Sequence, residues 1–304
     1  MQDSAPMTAA PAALATLPDP AARAVRGVLT DIDDTLTSEG AIAPEALAAL
    51  AALRAAGVCV IAVTGRPKGW SEPFARDWPI EAIVAENGAV ALFRDDARCA
   101  TGPVEGAKMP TLSDQRAYGR PGPVVGSAAD VVIEYAQDEP TRCRNAARLK
   151  AAAERVLREV PGSRLAADSA GRATDIAVDH SEFAHLPPER IAEVVAVMRA
   201  EGMNATVSSI HVNGWYGDHD KLSGARWIVR RRLGRDLDAE IGQWLYVGDS
   251  TNDQQMFGHF PLSVGVANLM RFAAELTVWP RYLTQGERGA GFAEVARRLL
   301  EARR

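Results

Sequence analysis

Three short apolar runs that each end in an oxygen-rich turn constrain this chain more than any other feature. They are "GVLTDIDDT" from Gly27, "VIAVTGRP" from Val60 and "LYVGDSTND" from Leu245. The first is followed by a stretch with helical spacing from Pro44 to Ala56, opened by proline, and then by the second run. Further runs follow at "IEAIVAENGAV" and "LSVGVAN", with helices expected over Lys221 to Leu233 and Gly291 to Leu300 and a short strand at "ELTVW". Short β runs alternating with helices read as βαβ units and a parallel sheet. Because the rhythm occupies both ends of the chain, the two ends are expected to build one sheet.

The middle has another character. Strands are expected at "ADVVIEYA", "RATDIAVD" and "NATVSSIHV", with helices over Arg142 to Leu157 and Pro188 to Glu201, which reads as a small α+β unit inserted into the core. The expected fold is therefore α/β, a Rossmann-like parallel-sheet core with an inserted α+β cap. Residues 25–94 and 214–304 would form the core and residues 95–213 the cap, which would act as a lid. The Ala- and Pro-rich residues 1–24 read as a loose, disordered tail without the basic start and apolar block of a secretory signal. A length of 304 residues accommodates two such domains.

Composition narrows the partners. A net charge of −5 gives no general attraction for nucleic acid or an anionic membrane, so an anionic substrate needs positive charge supplied locally. No apolar run approaches the roughly 18 residues of a membrane helix. Cys59, Cys99 and Cys143 are odd in number and widely spaced, as expected of buried thiols in a reducing, cytoplasmic compartment. Oligomeric state is not legible in the sequence.

The strand ends carry the chemistry. Ligands of open parallel sheets collect beyond the carboxyl ends of the strands, and Asp31 stands where the first core strand runs out. Residues two apart on extended chain share a side, so Asp31 and Asp33 face one ligand. Paired carboxylates call for a divalent metal, for a raised pKa on one of them, or for both; the bland alternative is a solvated turn. Thr64 and Gly65 make a small anion-binding turn. Gly248, Asp249, Asn252 and Asp253 add a second set of oxygen ligands suited to a hard cation, or else a polar turn before a helix.

Taken in order, "DIDDT", Thr64 in "TGR", Lys221 in "GDHDKLSGARW" and "GDSTND" resemble the four motifs of the haloacid dehalogenase superfamily of phosphohydrolases. The "ENGA" segment, Glu86 to Ala89, and the placement of the insert resemble the branch with a C2-type cap, which includes the Cof and sucrose-phosphatase kinds. Asp34 stands where many members have glycine. The resemblance implies Asp31 as nucleophile and metal ligand, Asp33 as general acid and base with its backbone carbonyl on the metal, and Asp249 as the remaining protein ligand of Mg2+. It implies that Thr64, Gly65, Lys221 and Asn252 hold the phosphoryl group and that Asp253 supports the site. Arg66, Asn87 and Asn213 are the candidate substrate contacts.

The expected activity is thus a magnesium-dependent phosphatase acting on a small phosphomonoester, a sugar phosphate or related metabolite, through an aspartyl-phosphate. A phosphomannomutase-like mutase and a non-catalytic sugar-phosphate sensor are the alternatives. His211 and Trp215 line the passage toward the cap or simply end a strand before a hinge at Gly214 and Gly217. In the insert, Arg142, Arg144, Arg148, Arg172 and Asp175 are candidates for the leaving group. The run "RWIVRRRLGR" reads as a solvated helix face, and "QGERGAG" lacks the Lys and Ser/Thr of a nucleotide loop.

Overall fold

The computed structural model describes residues 10–95 and 131–304. In chain order its strands begin with β1 (Ala12–Ala13), β2 (Gly27–Thr30), β3 (Thr37–Ser38), β4 (Ala41–Ile42) and β5 (Cys59–Val63). There follow β6 (Ala82–Ala85), β7 (Val90–Arg94), β8 (Val131–Tyr135), β9 (Asp175–Asp179), β10 (Asn204–Val207) and β11 (His211–Trp215). The last are β12 (Trp244–Gly248), β13 (Leu262–Gly265) and β14 (Tyr282–Leu283). The helices are α1 (Asp19–Ala24), α2 (Pro44–Ala55), α3 (Lys68–Asp77) and α4 (Glu139–Glu159). They continue with α5 (Pro188–Ala200), α6 (Lys221–Leu233), α7 (Gln254–His259) and α8 (Arg288–Glu301). The chain divides into two compact units, with Met1–Ala62 and Ala225–Arg304 in the first and Val63–Gly224 in the second.

The first unit is the parallel sheet anticipated from the strand rhythm. Its strands run β1-β14-β13-β12-β2-β5, each pair parallel. The burial of β2 and β12 at every position follows from their being central strands, and it explains why they read as continuous apolar runs rather than alternating ones. Trp244, Tyr246, Leu29 and Phe292 are wholly enclosed in this core. The strand expected at "ELTVW" is absent. The chain there forms turns and bends, and the strand beyond β13 is Tyr282–Leu283 instead, with β1 at the edge. Residues 10–24 correct the expectation of a disordered tail over 1–24. β1 pairs with β14, and Leu14 and Leu17 are each only 1% exposed.

The second unit holds two antiparallel arrangements. β6, β7 and β8 form a meander, so "ADVVIEYA", assigned to the insert from sequence, pairs with β7 rather than with the insert's sheet. The insert's own sheet has the order β10-β11-β9. "NATVSSIHV", expected as one strand, is a hairpin because the chain turns over Ser208 to Ile210 and β11 carries on to Trp215. The expected division at 213/214 therefore cuts through a central strand. α4 and α5 contribute Leu149, Val156, Val194 and Met198 to a shared apolar cluster with Val178 of β9 and Val212 of β11. Cys143 is exposed and Cys59 half-buried, against the expectation of buried thiols, and Cys99 lies outside the described residues. Among the described residues no helix is long and apolar enough to cross a membrane.

Candidate active site

The first unit brings Asp31, Asp249 and Asp253 together at the carboxyl ends of β2 and β12. Each offers a carboxylate oxygen within 4.8 Å of the others, and all three are buried. Adjacent parallel strands set this distance. The Asp31 amide donates to the Val247 carbonyl at 2.9 Å, which fixes the register just where β2 stops being a strand. The following turn is closed by the Ile32 carbonyl, which accepts from the amides of Thr35, Leu36 and Thr37. Asp33 lies half-buried in that turn and Asp34 takes a left-handed φ of 54°. Asp34 also pairs with Arg288 at 2.9 Å.

The three carboxylates are not equivalent. Asp253 accepts from the Tyr246 hydroxyl at 2.5 Å, the Asp249 amide at 2.9 Å and the Ser250 amide at 3.1 Å. Donors of β12 and of the loop that follows it engage both oxygens, so Asp253 holds the loop's shape. A Cβ at Gly248 would lie 2.5 Å from Asp253 Oδ2, so the carboxylate reaches these amides only because residue 248 has no side chain. Burial, and next the Asp253 charge, push the Tyr246 hydroxyl well above its ordinary pKa, so it stays a donor. Asp249 accepts from Asn268 Nδ2 at 3.2 Å and more weakly from Thr35 Oγ1 at 3.4 Å. Asn268 also donates to the Asp34 carbonyl at 3.0 Å and thereby ties the two strand-end turns together. Asn252 sits on the same loop, where its Oδ1 accepts from Ser250 Oγ at 2.9 Å.

The second unit carries Thr64, Gly65, Arg66, Asn87, Asn213 and Lys221. The Thr64 amide donates to the Val84 carbonyl at 2.8 Å, and the Asn87 amide donates to the Thr64 carbonyl at 3.0 Å. Glu86, Asn87 and Gly88 all have positive φ, at 48°, 54° and 106°, a strained run that needs outside support. Glu86 supplies it from a fully buried position. Its carboxylate accepts from the amides of Lys68, Ala173 and Thr174 and from the Thr174 hydroxyl, at distances from 2.5 to 3.1 Å. At Gly88 a Cβ would fall 2.0 Å from the Asp220 carbonyl oxygen, so this turn lies directly against the residue before Lys221. Asp220 caps α6 by accepting from the Ser223 amide at 2.7 Å, and Lys221, 4% exposed, opens the helix. Thr64, Asn87 and the start of α6 are thus joined by direct contacts.

Arg66 is anchored: its guanidinium donates to Asp168 at 3.2 Å and to Glu182 at 2.9 Å, and it lies over the Trp70 ring. Glu182 in turn meets His211 Nε2 at 2.8 Å. Burial by itself would raise the Glu182 carboxyl, but the His211 hydrogen bond and the Arg66 charge outweigh it and hold the pKa at about 2. Arg172 donates to the Gly65 carbonyl at 3.0 Å and bridges Asp168 and Asp175. Asn213 also donates to the Gly65 carbonyl, at 3.2 Å. Of the other insert candidates, Arg142 and Arg148 stack on Tyr135 and Tyr216, and Arg144 donates to Thr141. Tyr246, Asn268, Glu86, Asp168 and Glu182 were not singled out from sequence. Only the "ENG" turn gave a signal, and it pointed to Asn87.

Comparison with known proteins reaches the first two of the four motifs. Residues 28–105 match the family model of haloacid dehalogenase-like hydrolases. A search of curated protein sequences finds no match. Among solved structures, a Thermoplasma acidophilum protein superposes with a TM-score of 0.60 at 15% identity, covering 91% of this chain and 98% of that one. The sucrose-phosphatase of Synechocystis sp. PCC6803, solved with sucrose and phosphate, gives a TM-score of 0.56 at 13% identity, with 91% and 98% covered. A subclass IIB sugar phosphatase of the superfamily gives 0.53 at 15% identity, with the same coverage. Identities this low speak to fold alone, and the fold is that of these proteins: the resemblance to the haloacid dehalogenase superfamily holds.

Proposed function

We propose that this chain, on its haloacid dehalogenase-like fold, is a magnesium-dependent phosphatase that hydrolyses a small phosphomonoester, a sugar phosphate or related metabolite. The observation that carries the reading is the pair Asp31 and Asp249, buried carboxylates whose oxygens approach within 4.8 Å at adjacent strand ends, while the neighbouring Asp253 accepts from Tyr246 and from two amides of its own loop. Such a set is all oxygen and doubly anionic, which fits a hard dication such as Mg2+. Asp31 and Asp249 would hold it with the Asp33 carbonyl. Bound there, the ion would offset the repulsion between nucleophile and phosphate, about 4 kcal/mol for unit charges 4 Å apart at an effective dielectric near 20.

In this reading a carboxylate oxygen of Asp31 attacks phosphorus in line. The new P–O bond to Asp31 forms as the bond to the leaving oxygen breaks, and Asp33 gives that oxygen its proton. Asp33 then takes a proton from water, which attacks phosphorus and frees Asp31 and inorganic phosphate. Thr64, Gly65 and Lys221 take the phosphoryl oxygens, with Asn252 in support, on the strength of the motif order. The α+β part of the second unit, built on β9, β10 and β11, serves as the cap.

The test is release of p-nitrophenol from p-nitrophenyl phosphate with magnesium, with EDTA and in Asp31→Asn. The reading expects turnover that requires magnesium and falls at least about a thousandfold in the variant, as loss of a covalent nucleophile demands. Equal turnover in the variant refutes it. So does the absence of phosphate release from any member of a broad phosphomonoester panel.

A further inference from the structure

If the Thr64–Gly65 turn holds the phosphoryl group, the groups bordering that turn meet the part of the substrate to be released. The Gly65 carbonyl is bracketed by Arg172 at 3.0 Å and Asn213 at 3.2 Å. Arg172 continues to Asp168 at 3.1 Å, and Arg66, the next residue after Gly65, reaches Asp168 and Glu182. Cations and anions in this network are not equally accessible. The side chains of Arg66 and Arg172 are 4% and 2% exposed, whereas those of Asp168 and Glu182 are 14% and 17% exposed. A molecule arriving beside the turn therefore touches carboxylates, the guanidinium groups being covered.

Acceptor capacity remains on those carboxylates. Glu182 receives one side-chain bond on each oxygen, and Asp168 one on Oδ2 and two from Arg172 on Oδ1, while a carboxylate offers about four lone-pair sites. A second, independent group points the same way. Asn87 is 2% exposed and its Nδ2 has no hydrogen-bond partner, while a Cβ at Gly65 would lie 3.3 Å from its Oδ1. Buried donors without partners are uncommon, and this one, on a residue whose amide bonds to the Thr64 carbonyl, can meet a ligand oxygen.

We propose that Asp168 and Glu182 select the leaving group. They accept hydrogen bonds from a polyhydroxylated or amino-bearing sugar and exclude one that carries a second anionic group, with Asn87 donating to a sugar oxygen. This rests on the phosphatase reading above. Both carboxylates are held ionised: for Asp168, burial alone would raise the pKa, but Arg172 and Arg66 bring it below the ordinary value. Like charges brought together at such a contact are strongly disfavoured, and unmatched polar groups are what give a site its discrimination.

The experiment compares glucose 1-phosphate, glucosamine 1-phosphate and glucuronate 1-phosphate, which share a ring and a leaving position. Phosphate release with magnesium is measured for each, and p-nitrophenyl phosphate serves as a substrate without sugar groups. The expected kcat/KM for glucuronate 1-phosphate is about tenfold or more below that for glucose 1-phosphate, with the amino sugar at least as good as glucose. In Asp168→Asn and Glu182→Gln the ratio between the anionic and neutral sugars narrows by about tenfold. Because both rates come from one preparation, partial loss of folded protein cancels, and a melting curve identifies a variant that does not fold. Equal rates for the anionic and neutral sugars overturn the proposal, as does a ratio unmoved in folded variants. Turnover of p-nitrophenyl phosphate with none of the three sugars overturns it while leaving the phosphatase reading intact. No turnover of anything overturns both.

Discussion

Replacing Asp253 by asparagine tests the proposed division of labour among the three carboxylates, because two opposing effects fall on one residue. The carboxylate serves the Tyr246 hydroxyl at 2.5 Å and two backbone amides at 2.9 and 3.1 Å. The new amide side chain could keep its carbonyl on the backbone donors, but its NH2 would then face a tyrosine hydroxyl that is itself a donor, in a pocket without solvent. An orphaned buried donor costs about 1–3 kcal/mol, and the two remaining bonds lose their charge assistance, for a total of roughly 2–5 kcal/mol. Against this, the substitution removes one of three negative charges. At 4.8 Å and an effective dielectric near 20, the two relieved pairs are worth about 7 kcal/mol together. Without metal the relief exceeds the loss. With a dication bound the repulsion is already offset, so only the loss remains, and the variant also binds the ion less well. Urea denaturation in EDTA should place Asp253→Asn about 2 kcal/mol or more above the parent, and in millimolar magnesium at least about 2 kcal/mol below it. Adding Tyr246→Phe should recover part of the loss by removing the orphaned hydroxyl. A variant equally destabilised in both conditions, or less so in magnesium, would refute the assignment of Asp253 to the loop and of Asp31 and Asp249 to the ion.

Other consequences can be measured separately. Magnesium should raise the melting temperature of the parent and leave that of Asp249→Asn unmoved, since binding to the native state alone stabilises it; an equal shift in both would remove Asp249 from the ligand set. Glu182 has a folded pKa of about 2 against an ordinary 4.5, so the unfolded chain binds more protons between those values. Its contribution is present above pH 4.5 and is lost as the pH falls toward 2, and Glu182→Gln should flatten the acid limb of a stability-against-pH curve over that window. Deleting residues 1–24 should cost about 3–6 kcal/mol from Leu14 and Leu17 alone, with deletion of 1–9 as the comparison; equal melting temperatures for the two would count against the burial of β1 and its neighbours. Gly88→Ala joins a φ of 106° to a Cβ 2.0 Å from the Asp220 carbonyl, and should lower the melting temperature by more than any surface alanine.

What could be read from the sequence follows the range of the forces involved. A buried parallel strand announces itself by an uninterrupted apolar run and its end by the turn residues that follow, both local signals. Hence β2, β5, β12 and β13 and the clusters at Asp31, Thr64 and Asp249 were legible. β1 was not, because a strand of two residues carries no periodicity, and its burial comes from pairing with β14, some 270 positions away. The hairpin of β10 and β11 was missed because its turn, Ser208-Ser209-Ile210, contains neither glycine nor proline.

The network around Gly65 shows the same limit with a functional consequence. Arg66 finds Asp168 and Glu182 across separations of 102 and 116 residues, and nothing in the sequence around those acids distinguishes them from surface carboxylates. Residues that perform the chemistry must stand at strand ends, where the backbone holds them, and so each keeps a fixed place in a local pattern. Residues that choose a leaving group need only converge on it, and any element of the insert can deliver them. A search for selectivity in chains of this fold is therefore better begun at the carbonyl of the glycine after the motif threonine, following the guanidinium groups outward to the carboxylates they leave exposed, than at charged positions in the insert taken one by one. Here that path leads through Arg172 and Arg66 to Asp168 and Glu182 and bypasses Arg142, Arg144 and Arg148, which are engaged with Tyr135, Thr141 and Tyr216.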